Sequence, residues 1–95
     1  MIIIAGHLTV DAALRSRYLD AVHAVGIQAR AAPGCLDFVQ TADPLQGDRI
    51  VIFERWESDE DLHRFRSSGG PPLAGVADVL GADVHLYRIA SIEPP

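Results

Sequence analysis

The chain contains no lysine, a single cysteine and a single tryptophan. With lysine absent, eight arginines at positions 15, 17, 30, 49, 55, 64, 66 and 88 carry all the permanent side-chain positive charge, against thirteen acids, for a net charge of −5. They are scattered along the chain, so no face can track a phosphate backbone and nucleic acid is not an expected partner. Cys35 cannot close an intrachain disulfide, which fits a reducing compartment. No apolar run approaches the roughly 20 residues of a membrane span, so no membrane partner is expected. The opening "MIIIAGHLTV" lacks a charged leader and its apolar run ends at His7, so it reads as a strand and not as a signal peptide. A cytoplasmic protein is the expectation. There is no glycine-rich phosphate loop and no dinucleotide fingerprint.

What the chain does have is apolar surface. Its 95 residues suffice for one domain, 1–95, and 48% of them are apolar. A chain of this size buries only about two-thirds of its unfolded surface. The surplus needs a second surface, and a homo-oligomer is the first inference.

Ile2 to Val10 is rich in β-branched residues and reads as a first strand. Asp11 caps a helix to about Arg30, with Leu14, Tyr18, Ala21, Val22, Val25 and Ala29 on one face. "AAPG" ends it. Cys35 to Thr41 is a second strand, "ADPLQGD" a turn-rich loop and Arg49 to Glu57 a third strand. Ser58, with Asp61 three residues on, opens a short helix whose inner face carries Leu62 and Phe65. "SSGGPP" breaks it, Leu73 to Leu80 can form another short helix, and Asp83 to Ile92 is a last strand.

The order β-α-β-β-α-β is the ferredoxin-like α+β plan, with both helices on one face of an antiparallel sheet. A half-exposed sheet should alternate apolar and polar residues. Strands one and three do not: Ile3 and Ala5 flank Ile2 and Ile4, and Val51 and Phe53 flank Ile50 and Ile52. The second face therefore needs a cover that the chain does not supply. A homodimer packed sheet against sheet would supply it.

At "APGCLDF" followed by "VIFERWESDEDLHRF" the chain resembles the antibiotic biosynthesis monooxygenase family. The matching pieces are the Pro33-Gly34 turn, Glu54-x-Trp56-x-Ser58 and the acidic helix start. The resemblance implies a dimeric α+β barrel with a substrate pocket on the helix side. Members include cofactor-free oxygenases of phenols and quinols, and haem degraders. The haem-degrading branch resembles itself in an asparagine on strand one, a tryptophan on the helix after the Glu-x-Trp strand, and an iron-ligating histidine two turns later. Here those positions are Gly6, Phe65 and the histidine-free "PPLAG". The resemblance therefore implies no haem, and no cofactor is expected.

Four histidines, at 7, 23, 63 and 85, show no helical i, i+4 pair and no cysteine at ligand spacing, so no metal site is expected. His23 and His63 read as surface residues. His7 falls on the parity facing the dimer and reads as a structural polar residue, whereas the face of His85 stays open, leaving it the candidate base. Tyr18 sits at the centre of the helical stripe, as a core tyrosine bonded to backbone or as a substrate contact. Tyr18, Val22 and Phe65 are expected to bound the helix-side pocket, and Phe53, like Phe38, is a core residue that can also wall it. Glu54 and Trp56 share one strand face and read as fold or dimer determinants. Nothing beside Cys35 suggests an activated nucleophile. "SSGGPPLAG" can form a pocket rim or simply break a helix.

Two functions from different classes fit. One is a cofactor-independent monooxygenase of an electron-rich aromatic, such as a quinol or polyketide-like phenol, with Tyr18 and His85 as catalytic candidates. The other is a non-catalytic dimer that binds a small aromatic ligand. A fold-sharing cyclase or isomerase would turn over without oxygen.

Overall fold

The computed structural model describes residues 1–69 and 77–95. Strand β1 (Ile2–Val10) leads through a single 3-10 turn, Ala12–Leu14, into helix α1 (Arg15–Ala31). Strands β2 (Cys35–Ala42) and β3 (Arg49–Trp56) follow, then helix α2 (Asp59–Ser67) and strand β4 (Val79–Arg88). The sheet order is β2-β3-β1-β4 and every ladder is antiparallel. This is the ferredoxin-like α+β fold the sequence implies.

The helix starts and stops have local causes. The Asp11 carboxylate accepts the Ala13 N–H at 2.9 Å, and Ser58 Oγ accepts the Asp61 N–H at 3.2 Å, each taking up an amide that the helix cannot. Ser58 also donates its hydroxyl to Asp61 Oδ2 at 2.8 Å. Pro33 cannot extend α1, and Gly34 turns the chain with φ at +80°. A Cβ at Gly34 would fall on the Asp61 carboxylate, and the Gly34 carbonyl accepts the Glu57 N–H at 2.8 Å. The turn after α1 and the cap of α2 are therefore one interlocked unit, which is why "APG" and "WESDED" belong together. The β2–β3 loop is held by Asp43, whose Oδ1 accepts the Leu45 and Gln46 amides, and by Arg15, which donates to the Gln46 carbonyl at 2.7 Å.

Pairing fixes the faces. Ile2, Ile4 and Val10 of β1, Ile50, Ile52, Glu54 and Trp56 of β3, and Phe38 of β2 are buried and share the face covered by the helices. From α1 come Tyr18, Val22 and Ala29, and from α2 Leu62. The opposite face carries Ile3, Ala5 and His7, flanked by Val51 and Phe53 on one side and by Asp83, His85 and Tyr87 on the other. Among the described residues nothing covers it: Phe53 is 37% and Tyr87 51% exposed.

The last third differs from expectation. Val79 and Leu80 belong to β4 and not to a helix, and 70–76 lie outside the described residues. β4 runs Val79–Arg88 instead of Asp83–Ile92 because its limits are set by β1. Its ladder starts where Val79 meets Val10, past a bulge, and its last pair is Arg88 with Ile2. Beyond that only the Met1 carbonyl remains, taken by the Ile89 N–H at 3.1 Å. Arg88 then grips Asp59 with two 2.9 Å bonds, tying the end of β4 to the start of α2.

Candidate functional site

The helix side holds two apolar clusters. One gathers Ile2, Ile4, Ala29, Phe38, Trp56 and Leu62, the other Val10, Tyr18, Val22 and Ile50, and Val25 touches both. Tyr18 is buried, and its hydroxyl donates to Gln40 Oε1 at 3.1 Å, a side-chain partner and not backbone. Burial pushes its phenol upward from the ordinary value, so it stays protonated and can only donate or accept hydrogen bonds. Val22, one turn on, lines a cleft of about 190 Å³ between α1 and the edge strand β2, together with Leu19, His23, Arg30, Phe38 and Gln40. Arg30 holds this edge closed at one end, donating from Nε to the Phe38 carbonyl at 3.0 Å.

Phe65 lies elsewhere. It stacks on Trp56 at 5.3 Å and meets Phe38 edge-on at 6.2 Å. Its open side lines a second cleft, of about 450 Å³, between the end of α1 and α2, with Ala32, Pro33, Asp61 and Arg64. Tyr18, Val22 and Phe65 therefore do not bound one pocket, as the sequence suggested. Val22 lines the first cleft and Phe65 the second, while Tyr18 lines neither and packs in the core beside Val10, Val22 and Ile50.

Phe53 and His85 are not on the helix side at all. Phe53 pairs with Ala5 and Val39, and His85 with Ala5, all on the open sheet face. His85 Nε2 lies 2.8 Å from Asp83 Oδ1, and its ring meets Tyr87 edge-on at 6.5 Å. Phe53 cannot wall a helix-side pocket, and His85 cannot act as base within one, because the sheet stands between. His7 is on the open face as expected, beside Asp83 and not beside His85. His63 is exposed, and His23 is exposed too, though on the rim of the α1–β2 cleft.

Two polar residues matter more than the sequence reading allowed. Gln40 is the partner that satisfies Tyr18. Glu54 is a buried carboxylate, 9% exposed, whose Oε1 accepts the Trp56 indole N–H at 3.1 Å. Burial raises its pKa, opposed by the Trp56 bond and by the positive charge of Arg66. The signal was present: in Ile50, Ile52, Glu54, Trp56, one acid interrupts an otherwise apolar strand face. Cys35 is half-buried, and burial first, then the charges of Glu54 and Asp37, push its thiol upward, the opposite of an activated nucleophile. Among the described residues no three His, Cys, Asp or Glu side chains are placed to hold a metal ion, and no helix is long and apolar enough to cross a membrane.

Geometry thus defines a ferredoxin-like α+β domain with apolar helix-side clefts, a buried phenol and a buried carboxylate. The family profile described as antibiotic biosynthesis monooxygenase matches residues 1–70, and the chain belongs to that family. No match is found among curated protein sequences. Among solved structures, a candidate antibiotic biosynthesis monooxygenase from Deinococcus radiodurans is similar at 18% identity and a TM-score of 0.82, covering 100% of this chain and 98% of that one. SnoaB, a cofactor-independent oxygenase from Streptomyces nogalater, is 13% identical with a TM-score of 0.76, over 99% and 97% of the two chains. A variant of MhuD, solved with two manganese protoporphyrin IX molecules per active site, is 18% identical with a TM-score of 0.71, over 100% of both. At these identities the likeness shows the fold.

Proposed function

We propose that the chain is a cofactor-independent monooxygenase that oxidises a small electron-rich aromatic, a quinol or polyketide-like phenol, with molecular oxygen. Its membership of the monooxygenase family over residues 1–70 carries this reading. The helix side supports it, offering clefts with apolar walls and, among the described residues, a buried phenol and a buried carboxylate that can hydrogen-bond a hydroxyl, Tyr18 and Glu54. Such a substrate supplies the electrons itself. Its phenolate passes one electron to oxygen, radical and superoxide join in a C–O bond, and the resulting hydroperoxide loses water to leave a quinone. Phenol and O₂ become quinone and water, and the protein need only orient the ring, accept a proton and keep water away.

Haem does not suit the residues present. A side chain at Gly6, which has φ at +149°, would strike the Asp83 carbonyl oxygen, so the backbone of β4 occupies the room an asparagine would need. Phe65, at the tryptophan position of the haem-degrading pattern, is engaged with Trp56 and Phe38. The third position, in "PPLAG", lies outside the described residues.

We further propose that the working unit is a homodimer packed through the open sheet faces, where Val39, Phe53, Ala5 and Ile3 form a continuous apolar strip. One observation favours the alternative of a non-catalytic aromatic-binding dimer: Tyr18 and Gln40 already satisfy each other, so that pair needs no ligand. Oxygen-electrode assays of metal-free protein against a panel of phenols and quinols decide the matter. Oxygen uptake with quinone formed supports the oxygenase. Tight binding of a panel member without uptake supports the binding protein.

A further inference from the structure

The helices cover the sheet unevenly. α1 lies against β2 and α2 against β3, while on the helix side of β4 Val84 packs partly against the core and Leu86 is left 45% exposed. Across the ladders one row runs Phe38, Glu54, Ile4, Leu86. Glu54 therefore lies two strands from the exposed Leu86, about 10 Å at the usual strand spacing. Within that row it is the one group that can exchange a proton. Its Oε1 is fixed by Trp56, and among the described residues no donor reaches Oε2.

We propose that Glu54 is the base that takes the hydroxyl proton of the substrate, with the aromatic ring lying along the helix face of β1 and β4 towards Leu86. The inference rests on the oxygenase reading and names the group that activates its substrate. In the step, the substrate O–H bond breaks, an O–H bond forms at Glu54 Oε2, and the electron pair stays on the phenolate oxygen. As the O–O bond of the adduct breaks, the ring C–H at the oxygenated carbon gives up its proton and its electron pair forms the quinone C=O; the departing oxygen leaves as water with that proton and the one returned by Glu54. A carboxylate desolvated among Ile4, Phe38 and Trp56 is a stronger base than one in water, in keeping with the upward shift that burial gives it. The charged or titratable groups whose fields bear on the Glu54 site are Arg66 of α2 and the Cys35 thiol of β2. The thiol is pushed upward, away from the carboxylate range.

Glu54→Gln tests this, because the amide oxygen can still accept the Trp56 N–H. On a phenol that is un-ionised at the assay pH, kcat/KM should fall by about 10²–10⁴-fold. On an acidic polycyclic phenol, electron-rich but already ionised at the assay pH, the rate should be nearly unchanged. Equal losses on both substrates, or none on either, would overturn the assignment. A second measurement does not depend on turnover. Trp56 is the sole tryptophan, so its emission should titrate with Glu54 in the parent protein and lose that inflection in Glu54→Gln. Binding of an un-ionised phenol under nitrogen should weaken on acidification through the same inflection, and only in the parent. If no phenol consumes oxygen yet this linkage appears, the oxygenase reading fails while the Glu54 contact stands. Phenol affinity independent of both pH and the substitution sinks the contact itself.

Discussion

Replacing Gly34 by alanine should be among the costliest single-methyl changes in the molecule. Gly34 has φ at +80°, where an L-residue pays roughly 1–2 kcal/mol. The new Cβ would also fall on the Asp61 carboxylate, which accepts the Ser58 hydroxyl and lies 3.3 Å from Arg64 Nη1. Displacing it loosens the cap of α2, a change worth about 0.5–2 kcal/mol. Together the loss should be about 2–3 kcal/mol, or roughly 10–20 °C in Tm for a domain of this size. Urea unfolding at one fixed protein concentration measures it, since any association would add to apparent stability. Asp61→Ala provides the sharper test. With the carboxylate removed, the new Cβ would still meet the Asp61 Cβ, at 2.6 Å, but no longer the carboxyl group, so Gly34→Ala should cost less and the two changes must be clearly less than additive. Additive losses in the cycle, or a single-variant loss below about 0.5 kcal/mol, would refute the interlock between the turn and the cap.

Ile3→Asp places a carboxylate on the open face, opposite Arg55 and Tyr87, where sheet-to-sheet packing would bury it, and should convert a homodimer to monomer in sedimentation at micromolar concentration; a parent protein that already sediments as a compact monomer contradicts the sheet-to-sheet assembly. Tyr18→Phe removes the bond to Gln40 and should cost about 1 kcal/mol in urea unfolding, with a further fall in turnover if the hydroxyl also orients substrate. Because the Glu54 pKa is raised in the folded state, the native chain binds more protons than the unfolded one between the two values. That contribution to stability is full in acid and declines as pH rises from the ordinary glutamate range through the raised value. Glu54→Gln should flatten this decline, and an unchanged pH–stability curve would show that Glu54 is not desolvated.

The fold was legible because its signals are local and agree with one another. Ser58 caps α2 where it was expected to, Asp11 caps the 3-10 turn that leads into α1 and not α1 itself, Pro33-Gly34 turns the chain, and the apolar stripe of α1 buries Tyr18, Val22 and Ala29. β4 was misplaced because its ends are not local. "VADVLGADVHLY" satisfies helix and strand patterns alike, and only the ladder to β1 decides that Val79 is strand and that Arg88 is its last residue.

The site was harder to read for a related reason. In a strand a one-residue step moves a side chain to the other face, and proximity in sequence misleads. Phe53 and Glu54 are neighbours in the chain, yet Phe53 faces outward beside Ala5 while Glu54 faces the helices beside Ile4. His85 goes with Phe53, and Leu86 with Glu54. The histidines drew notice as the side chains that titrate near neutrality, but both strand histidines lie on the open face with Asp83 between them. The helix side, where the apolar clefts are, holds a carboxylate instead. In water that carboxylate would be a weak base. Desolvated and bonded to the Trp56 indole, it becomes a stronger one, so the Glu-x-Trp pair is also an arrangement for handling a proton.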